Sequence, residues 1–306
     1  MENSTVCLFV YNRVSHTKNI LKSLSECTNF RDYKIYIFSD NFKLKNNKDK
    51  TKVKLVRDEI IKFKKNHKNI FIKFSKINLG LYKNLTKGIS NVLKKHSSVI
   101  VLEDDLVLHK NFLNFMVNSL EKFKNKKNIL QISGYSYPIN CNSNDAYFLN
   151  LTSCWGWATW SDRWRAFIKF SKNKKLIQEV YNNIKYDSNK KSNFNINGSY
   201  NYLKMLKKQL TSKFNSWGIL FYLFSFHKNL LNLFPPSTLV ENRGFDGSGS
   251  HKSTSNVFNK IVSKEKSKRI GYPPINKLNN HNQKQVGIFL LKELGLVRKI
   301  IHYLFK

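Results

Sequence analysis

Ser98-Val-Ile-Val-Leu-Glu-Asp-Asp105 is the stretch that decides the fold. Its apolar part is too short and too rich in β-branched residues for a helix, and it reads as a buried strand. It runs directly into three adjacent acids, in a chain with only 19 Asp and Glu against 54 Lys and Arg. Open α/β sheets bind ligands where their strands end. Neighbouring carboxylates repel, so a folded chain keeps them together when something cationic lies between them. A hard divalent ion, Mg²⁺ or Mn²⁺, shared with substrate phosphates meets that need. A solvated strand–loop junction is the plainer reading of the same residues.

Outward from this strand, the first half alternates strands and helices. Strands are expected over 6–11, 33–38, 70–74 and 99–102, and helices over 17–27, 53–67, 82–95 and 111–123. Parallel strands need crossovers, so the pattern predicts an α/β fold with a mostly parallel sheet flanked by helices. Ligand-facing residues should gather at the strand ends.

The second half has another texture. A strand is expected over 129–133, then aromatic, turn-rich sequence that includes Cys154-Trp-Gly-Trp-Ala-Thr-Trp-Ser-Asp-Arg-Trp164. Four Trp in ten positions exceed what a small core holds; half could be core and half a flat platform for sugar rings. Residues 186–198 read as an exposed loop, 216–227 as a helix and 230–234 as a short strand. Asn242-Arg-Gly-Phe-Asp-Gly-Ser-Gly-Ser-His251 carries three glycines, which permit close backbone approach and closure over a ligand. An ordinary connection is the alternative. Residues 285–306 place apolar groups at helical spacing beside Lys and Arg. That amphipathic helix could lie in a membrane interface or pack on the domain. The chain divides into 1–133, 134–252 and a basic linker with the terminal helix over 253–306.

The formal charge is +35. Much of it lies in loop-like tracts without a recognition helix or stacking motif, so nucleic acid is not the expected partner. A positive surface is attracted to anionic lipid. No apolar run approaches the ~18 residues of a membrane span. The four cysteines form no paired motif, and a reducing, cytoplasmic setting at the inner face of a membrane is expected.

Val6-Cys-Leu-Phe-Val-Tyr-Asn-Arg13, Ile37-Phe-Ser-Asp40, Asn78-Leu-Gly-Leu-Tyr-Lys83 and Val101-Leu-Glu-Asp-Asp-Leu106 together resemble the nucleotide-sugar half of a GT-A (Rossmann-like) glycosyltransferase. The closest likeness is to bacterial sugar transferases related to the N-acetylglucosaminyltransferase I family. The blocks around Trp155–Trp164 and Leu239–His251 are similar to the acceptor-side half of those enzymes. The resemblance implies a Mn²⁺- or Mg²⁺-dependent, inverting sugar transfer from a nucleotide-sugar, UDP-linked, to a glycan or lipid-linked glycan in surface polysaccharide or lipopolysaccharide synthesis. It implies metal binding by Asp105, with His251 completing the shell. Arg13, Asp40, Lys83, Glu103, Asp104 and Gly247 would contact the donor, Asp40 through the base. Trp155, Trp157 and Trp217 would face the acceptor. The general base of the family is a carboxylate before a Trp; Asn215 stands there in this chain, which leaves Asp162, Glu241 and Asp246 as candidates. Two readings from other classes compete: a nucleotidyltransferase on the same fold, and a non-catalytic basic protein that binds nucleic acid or membrane.

Overall fold

The computed structural model describes residues 5–44, 46–141, 143–211, 216–248, 270–274 and 276–304, with side chains through residue 292. In chain order the elements are β1 (Thr5–Val10), α1 (Val14–Ser25), β2 (Lys34–Ser39), α2 (Asn47–Lys65), β3 (Ile70–Phe74) and α3 (Leu81–Val92). They continue with β4 (Ser98–Glu103), β5 (Leu106–Leu108), α4 (Phe112–Phe123), β6 (Ile129–Ser133), β7 (Tyr147–Leu149), β8 (Trp157–Trp160) and α5 (Ser161–Lys172). The remainder are α6 (Lys174–Tyr186), α7 (Ser188–Phe194), α8 (Tyr202–Leu210), α9 (Trp217–His227), β9 (Leu231–Phe234), β10 (Val240–Asn242) and α10 (Asn280–Leu304).

One eight-stranded sheet, in the order β3-β2-β1-β4-β8-β6-β9-β7, runs through the protein. All six residues of β1 are buried, as a central strand covered on both faces requires. It pairs in parallel with β2, Thr5 opposite Lys34 and Val10 opposite Ser39, and with β4, Phe9 opposite Glu103. Their carboxyl ends, and the residues that follow each, therefore lie along one edge. The chain runs from β1 outward to β2 and β3, then returns to place β4 on the other side of β1. That reversal opens a crevice between the ends of β1 and β4, the place where doubly wound sheets bind ligands.

The second half extends the same sheet. β8 runs antiparallel to β4 and β6, β9 parallel to β6, and β7 antiparallel to β9. A boundary at residue 133 thus separates two halves that share one sheet and one hydrophobic cluster. Helix α9 is apolar all round, and Ile219 through Phe224 are buried in that cluster. A separate ribbon pairs β5 with β10, Leu106 opposite Asn242, which delivers residues 243–248 to the acid triplet.

Two sequence expectations change here. The segment 186–198 is not one exposed loop. Asp187 caps α7 by accepting the Lys190 N–H at 2.9 Å, and Phe194 is fully buried as its anchor. The tryptophan platform also shrinks: Trp157, Trp160 and Trp164 are all core, Trp157 stacked on Trp217 at 5.0 Å. Trp157 therefore cannot touch an acceptor. Helix α10 docks on the domain through Val286 and Leu290, both buried. Among the described residues no helix is long and apolar enough to cross a membrane.

Candidate active site

At the crevice between β1 and β4, Arg13 stands against the acids. Its guanidinium bonds Asp104 Oδ1 and, at 3.0 Å, Asp105 Oδ2. Burial works against the charge on Arg13, but the two aspartates outweigh it and raise its pKa. The acids behave in the opposite sense. Burial, reinforced by Asp105 and Asp104, pushes the Glu103 carboxyl above its ordinary range. Burial also pushes up Asp104, with Arg13 opposing. One guanidinium does not balance three carboxyls.

Asp104 Oδ2 is buried and lacks a hydrogen-bond partner among the described residues. Burying even a neutral polar group without a hydrogen bond costs roughly 2–7 kcal/mol, and a carboxylate more, unless a partner compensates it. A cation supplies that partner, and carboxylate oxygens are the donors that Mg²⁺ and Mn²⁺ prefer. No group of three His, Cys, Asp or Glu among the described residues forms a closed metal cage. An ion shared with substrate phosphates takes only one or two carboxylates from the protein. The donor set fits such an ion.

The acids open into a cleft of about 480 Å³. Tyr11, Asn12, Arg13, Asp40, Lys43, Asn78, Gly80 and Asn84 line it on the side of β1, β2 and α3. Trp155, Ser216, Trp217, Gly244, Phe245 and Ser248 line the other side. Residues 243–248 form one wall: Arg243 N–H donates to the Asp105 carbonyl at 2.7 Å. Gly244 leaves room for the acids, because a Cβ at this position would push the Asp105 carboxylate aside. Phe245 packs edge-on against Trp155 at 5.7 Å, and Asp246 Oδ2 meets His16 Nε2 of α1 at 2.9 Å.

Arg13, Asp40, Glu103, Asp104, Asp105, Trp155 and Trp217 are thus brought together. Asp40 lines the cleft and also holds a turn. Its Oδ1 accepts from the Asn41 and Leu79 N–H groups, both at 2.9 Å, and its Oδ2 from Gly80 at 2.8 Å and Leu79 at 3.2 Å. Three N–H donors thus engage both oxygens, the Leu79 N–H shared between them, which fills three of a carboxylate's about four lone-pair sites. Asp40 fixes the turn into α3, where Gly80 takes a positive φ of 74°. Lys83 is exposed on α3 and does not line the cleft. Gly247 is exposed at the rim, between lining residues Phe245 and Ser248.

The proposed bases fare worse. Asp162 follows β8, whose Trp160 pairs with Ser98, at the opposite end of β4 from Glu103. Five strand residues separate the two ends by about 16 Å. There Asp162 binds Lys127 at 2.6 Å and Arg163 at 3.1 Å. Glu241 lies between Val240 and the cleft-lining Asn242 on β10, so strand alternation turns it away, toward Arg243 at 3.0 Å. Asp246 reaches the rim, but the Ser248 hydroxyl and N–H and then His16 hold its carboxyl down, at about 2. Such a group is a weak proton acceptor at neutral pH. Asn215 and His251 lie outside the described residues.

Sequence reading missed the support under the cleft. Asp49, buried in α2, accepts hydrogen bonds from the Tyr11 hydroxyl, from Asn12 Nδ2 at 2.6 Å and from the Lys43 N–H at 3.0 Å. These bonds outweigh burial and lower its pKa. Asn46-x-x-Asp49 is visible in sequence as a helix start; its grip on the end of β1 is tertiary. Tyr11 and Asn12 could have been found as the residues directly beyond a central strand. His16, Asn84 and Ser248 carry no such signal.

No protein-family model and no curated protein matches this chain. Among solved structures it is similar to a cytidylyltransferase from Leptospira borgpetersenii serovar Hardjo-bovis, at 11% identity over 55% of this chain and 65% of that one, with a TM-score of 0.34. It is also similar to the mannosyltransferase PcManGT from Pyrobaculum calidifontis, solved in complex with GDP-Man and Mn²⁺, at 9% identity, 56% and 47% coverage and a TM-score of 0.35. S. aureus TarS 1–349 matches at 15% identity, 54% and 48% coverage and a TM-score of 0.36. The chain spans less than two thirds of the length of each. Likeness at this level carries no argument about activity, which rests on the cleft itself.

Proposed function

We propose that this protein is a metal-dependent glycosyltransferase. It moves a sugar from a nucleotide-sugar donor, of the UDP type, to a hydroxyl of a glycan or lipid-linked glycan in surface polysaccharide or lipopolysaccharide synthesis, with inversion at the anomeric carbon. The observation that carries this reading is the Glu103-Asp104-Asp105 cluster at the β1/β4 reversal, clamped by Arg13, with Asp104 Oδ2 buried and unpartnered among the described residues.

Asp105 and the free oxygen of Asp104 would hold Mn²⁺ or Mg²⁺, which when bound offsets the charge of a departing diphosphate. The remaining functions belong to the chain's own groups. Arg13 keeps two carboxylates in place and adds positive charge beside the phosphates. Lys43 lines the cleft and contributes a second cation. Residues 243–248, held by His16 and by Phe245 on Trp155, wall the reacting centre from water. Trp155 offers an aromatic face for the acceptor's C–H surface, with Trp217 behind it. The large positive charge and α10 would hold the protein to the cytoplasmic face of an anionic membrane.

The test is release of UDP from a panel of UDP-sugars, with Mn²⁺ and with a chelator. Metal-dependent release that disappears in Asp105→Asn supports the proposal. Release that persists under chelation, or in the variant, counts against it.

A further inference from the structure

We propose that a second cavity, at the end of the sheet opposite the cleft, binds a phosphate monoester through Arg31, Lys34, Lys68 and the imidazole of His67. This goes beyond the proposed function and does not depend on it. The cavity holds about 580 Å³ and is lined by the turn before β2 and by the connection from α2 to β3. Strands β2 and β3 run parallel, Ile35 opposite Ile70 and Ser39 opposite Phe74. The cavity lies where both strands start, whereas Asp40 and the cleft lie where β2 ends, roughly 16 Å further along.

The two segments are clamped together. Asn69 Nδ2 donates to the Phe30 and Tyr33 carbonyls, both at 2.9 Å, and the Ile35 N–H donates to the Asn69 carbonyl at 2.9 Å. Arg31 and Lys34 ride on one segment and Lys68 on the other. In a chain this basic, neighbouring cations alone mean little. These flank a concavity whose one lining acid is Asp32, and no ion pair of the described residues includes any of the four. Three fixed cations against one carboxylate leave two positive charges, which a phosphate monoester offsets at neutral pH. A concave surface of one sign also concentrates its field.

His67 adds a directed donor. Its ring is wedged against Phe30, edge-on at 5.1 Å, and against Phe63 at 4.4 Å. Nδ1 is buried and lacks a hydrogen-bond partner among the described residues. Burial and then Arg31 hold the His67 pKa below its ordinary value, so the ring is neutral at neutral pH. A neutral imidazole carries one N–H. Burying that N–H bare at Nδ1 would forfeit a hydrogen bond, so the proton belongs on Nε2. The donor that His67 offers the cavity is therefore Nε2–H. Inorganic phosphate alone would leave much of the volume empty. Tyr33 and Phe71, the latter 42% exposed, border the cavity and provide surface for the organic part of an ester. A lipid headgroup and a soluble sugar phosphate share this chemistry.

The experiment uses the full chain with a chelator present, so that the metal-dependent cleft does not compete. Inorganic phosphate, glycerol 3-phosphate and glucose 6-phosphate are titrated calorimetrically. Sedimentation with phosphatidylcholine vesicles, with and without phosphatidic acid, covers the lipid source. Wild type is compared with Arg31→Gln/Lys34→Gln, with His67→Phe, and with Lys174→Gln/Lys175→Gln, an equal loss of charge on α6. All four lysine and arginine side chains are exposed, so both double variants fold. The expected result is saturable binding that Arg31→Gln/Lys34→Gln weakens by about tenfold or more, while Lys174→Gln/Lys175→Gln stays within about twofold. His67→Phe should weaken it severalfold without lowering the melting temperature, because it removes a ring nitrogen that has no partner. Binding of the soluble esters supports the site with a free ligand; binding of phosphatidic acid vesicles alone supports it with a headgroup. Equal losses in the two double variants reduce the effect to bulk charge and overturn the proposal. Wild type that binds neither source overturns it, and so does a His67→Phe variant that binds as wild type does or fails to fold. None of these outcomes touches the proposed function, which rests on the other end of the sheet.

Discussion

Replacing Arg13 with Met removes one positive charge while keeping most of the side-chain volume. The loss falls on Asp104 and Asp105, whose side chains are 5% and 17% exposed. Breaking a fully buried ion pair by deleting one partner costs about 3–5 kcal/mol; the residual solvent access of Arg13 and Asp105 brings this to about 2–3 kcal/mol. For a chain of this size that is a fall in melting temperature of roughly 5 °C at neutral pH. The loss must depend on pH. Glu103 and Asp104 titrate above their ordinary values in the folded protein. A carboxyl with a raised folded pKa binds more protons folded than unfolded, so stability is present at low pH and declines as pH rises through the raised value. Without Arg13 those values climb further, so the deficit of Arg13→Met is large near pH 8 and mostly relieved near about pH 5. Thermal unfolding at both pH values, with and without Mn²⁺, reads all of this. Mn²⁺ should restore more stability to the variant than it adds to wild type, because it enters a cluster with no other counter-charge. A variant as stable as wild type at pH 8, or a deficit that ignores pH, refutes the charge balance argued for this cluster.

Trp157→Ala should cost about 3–5 kcal/mol in denaturant unfolding, since a fully buried ring stacked on Trp217 leaves a large cavity. Trp155→Ala, at a partly exposed wall, should cost far less stability and reduce transfer to an acceptor; equal destabilisation of the two would contradict their placement. Asp162→Asn loses surface ion pairs worth about 0–1 kcal/mol and should leave turnover unchanged, whereas abolished turnover in a folded protein would reinstate it as a base. Asp40→Ala should lower stability by about 1–3 kcal/mol by stripping the turn before α3 of its acceptor, measured by chemical denaturation. No loss would show the turn to be self-sufficient.

The strands that build the site were legible because β1 and β4 are continuous apolar runs, and such runs with helices between them admit few arrangements. The acids were legible because a buried strand ending in three carboxylates has few reasons to exist. Pairing was not. That β8 would run antiparallel beside β4, and so carry Asp162 to the far end of the sheet, depends on contacts between residues about sixty positions apart. The tryptophans were misjudged for a related reason: their number suggested a surface, but α5 and α9 supply aromatic partners for Trp157 and Trp164, and Trp160 is held by the Arg163 guanidinium and the Leu120 carbonyl. Asp40 looked like a free carboxylate at a strand end. Only the path of Leu79 and Gly80 around it shows that both its oxygens hold the backbone.

The most direct measurement is calorimetric titration of UDP into the folded protein, with and without Mn²⁺, beside Asp105→Ala. The account predicts binding that requires both the ion and the Asp105 carboxylate. Binding that is indifferent to Mn²⁺ or unchanged in Asp105→Ala would contradict it, and so would the absence of any UDP binding by folded wild type.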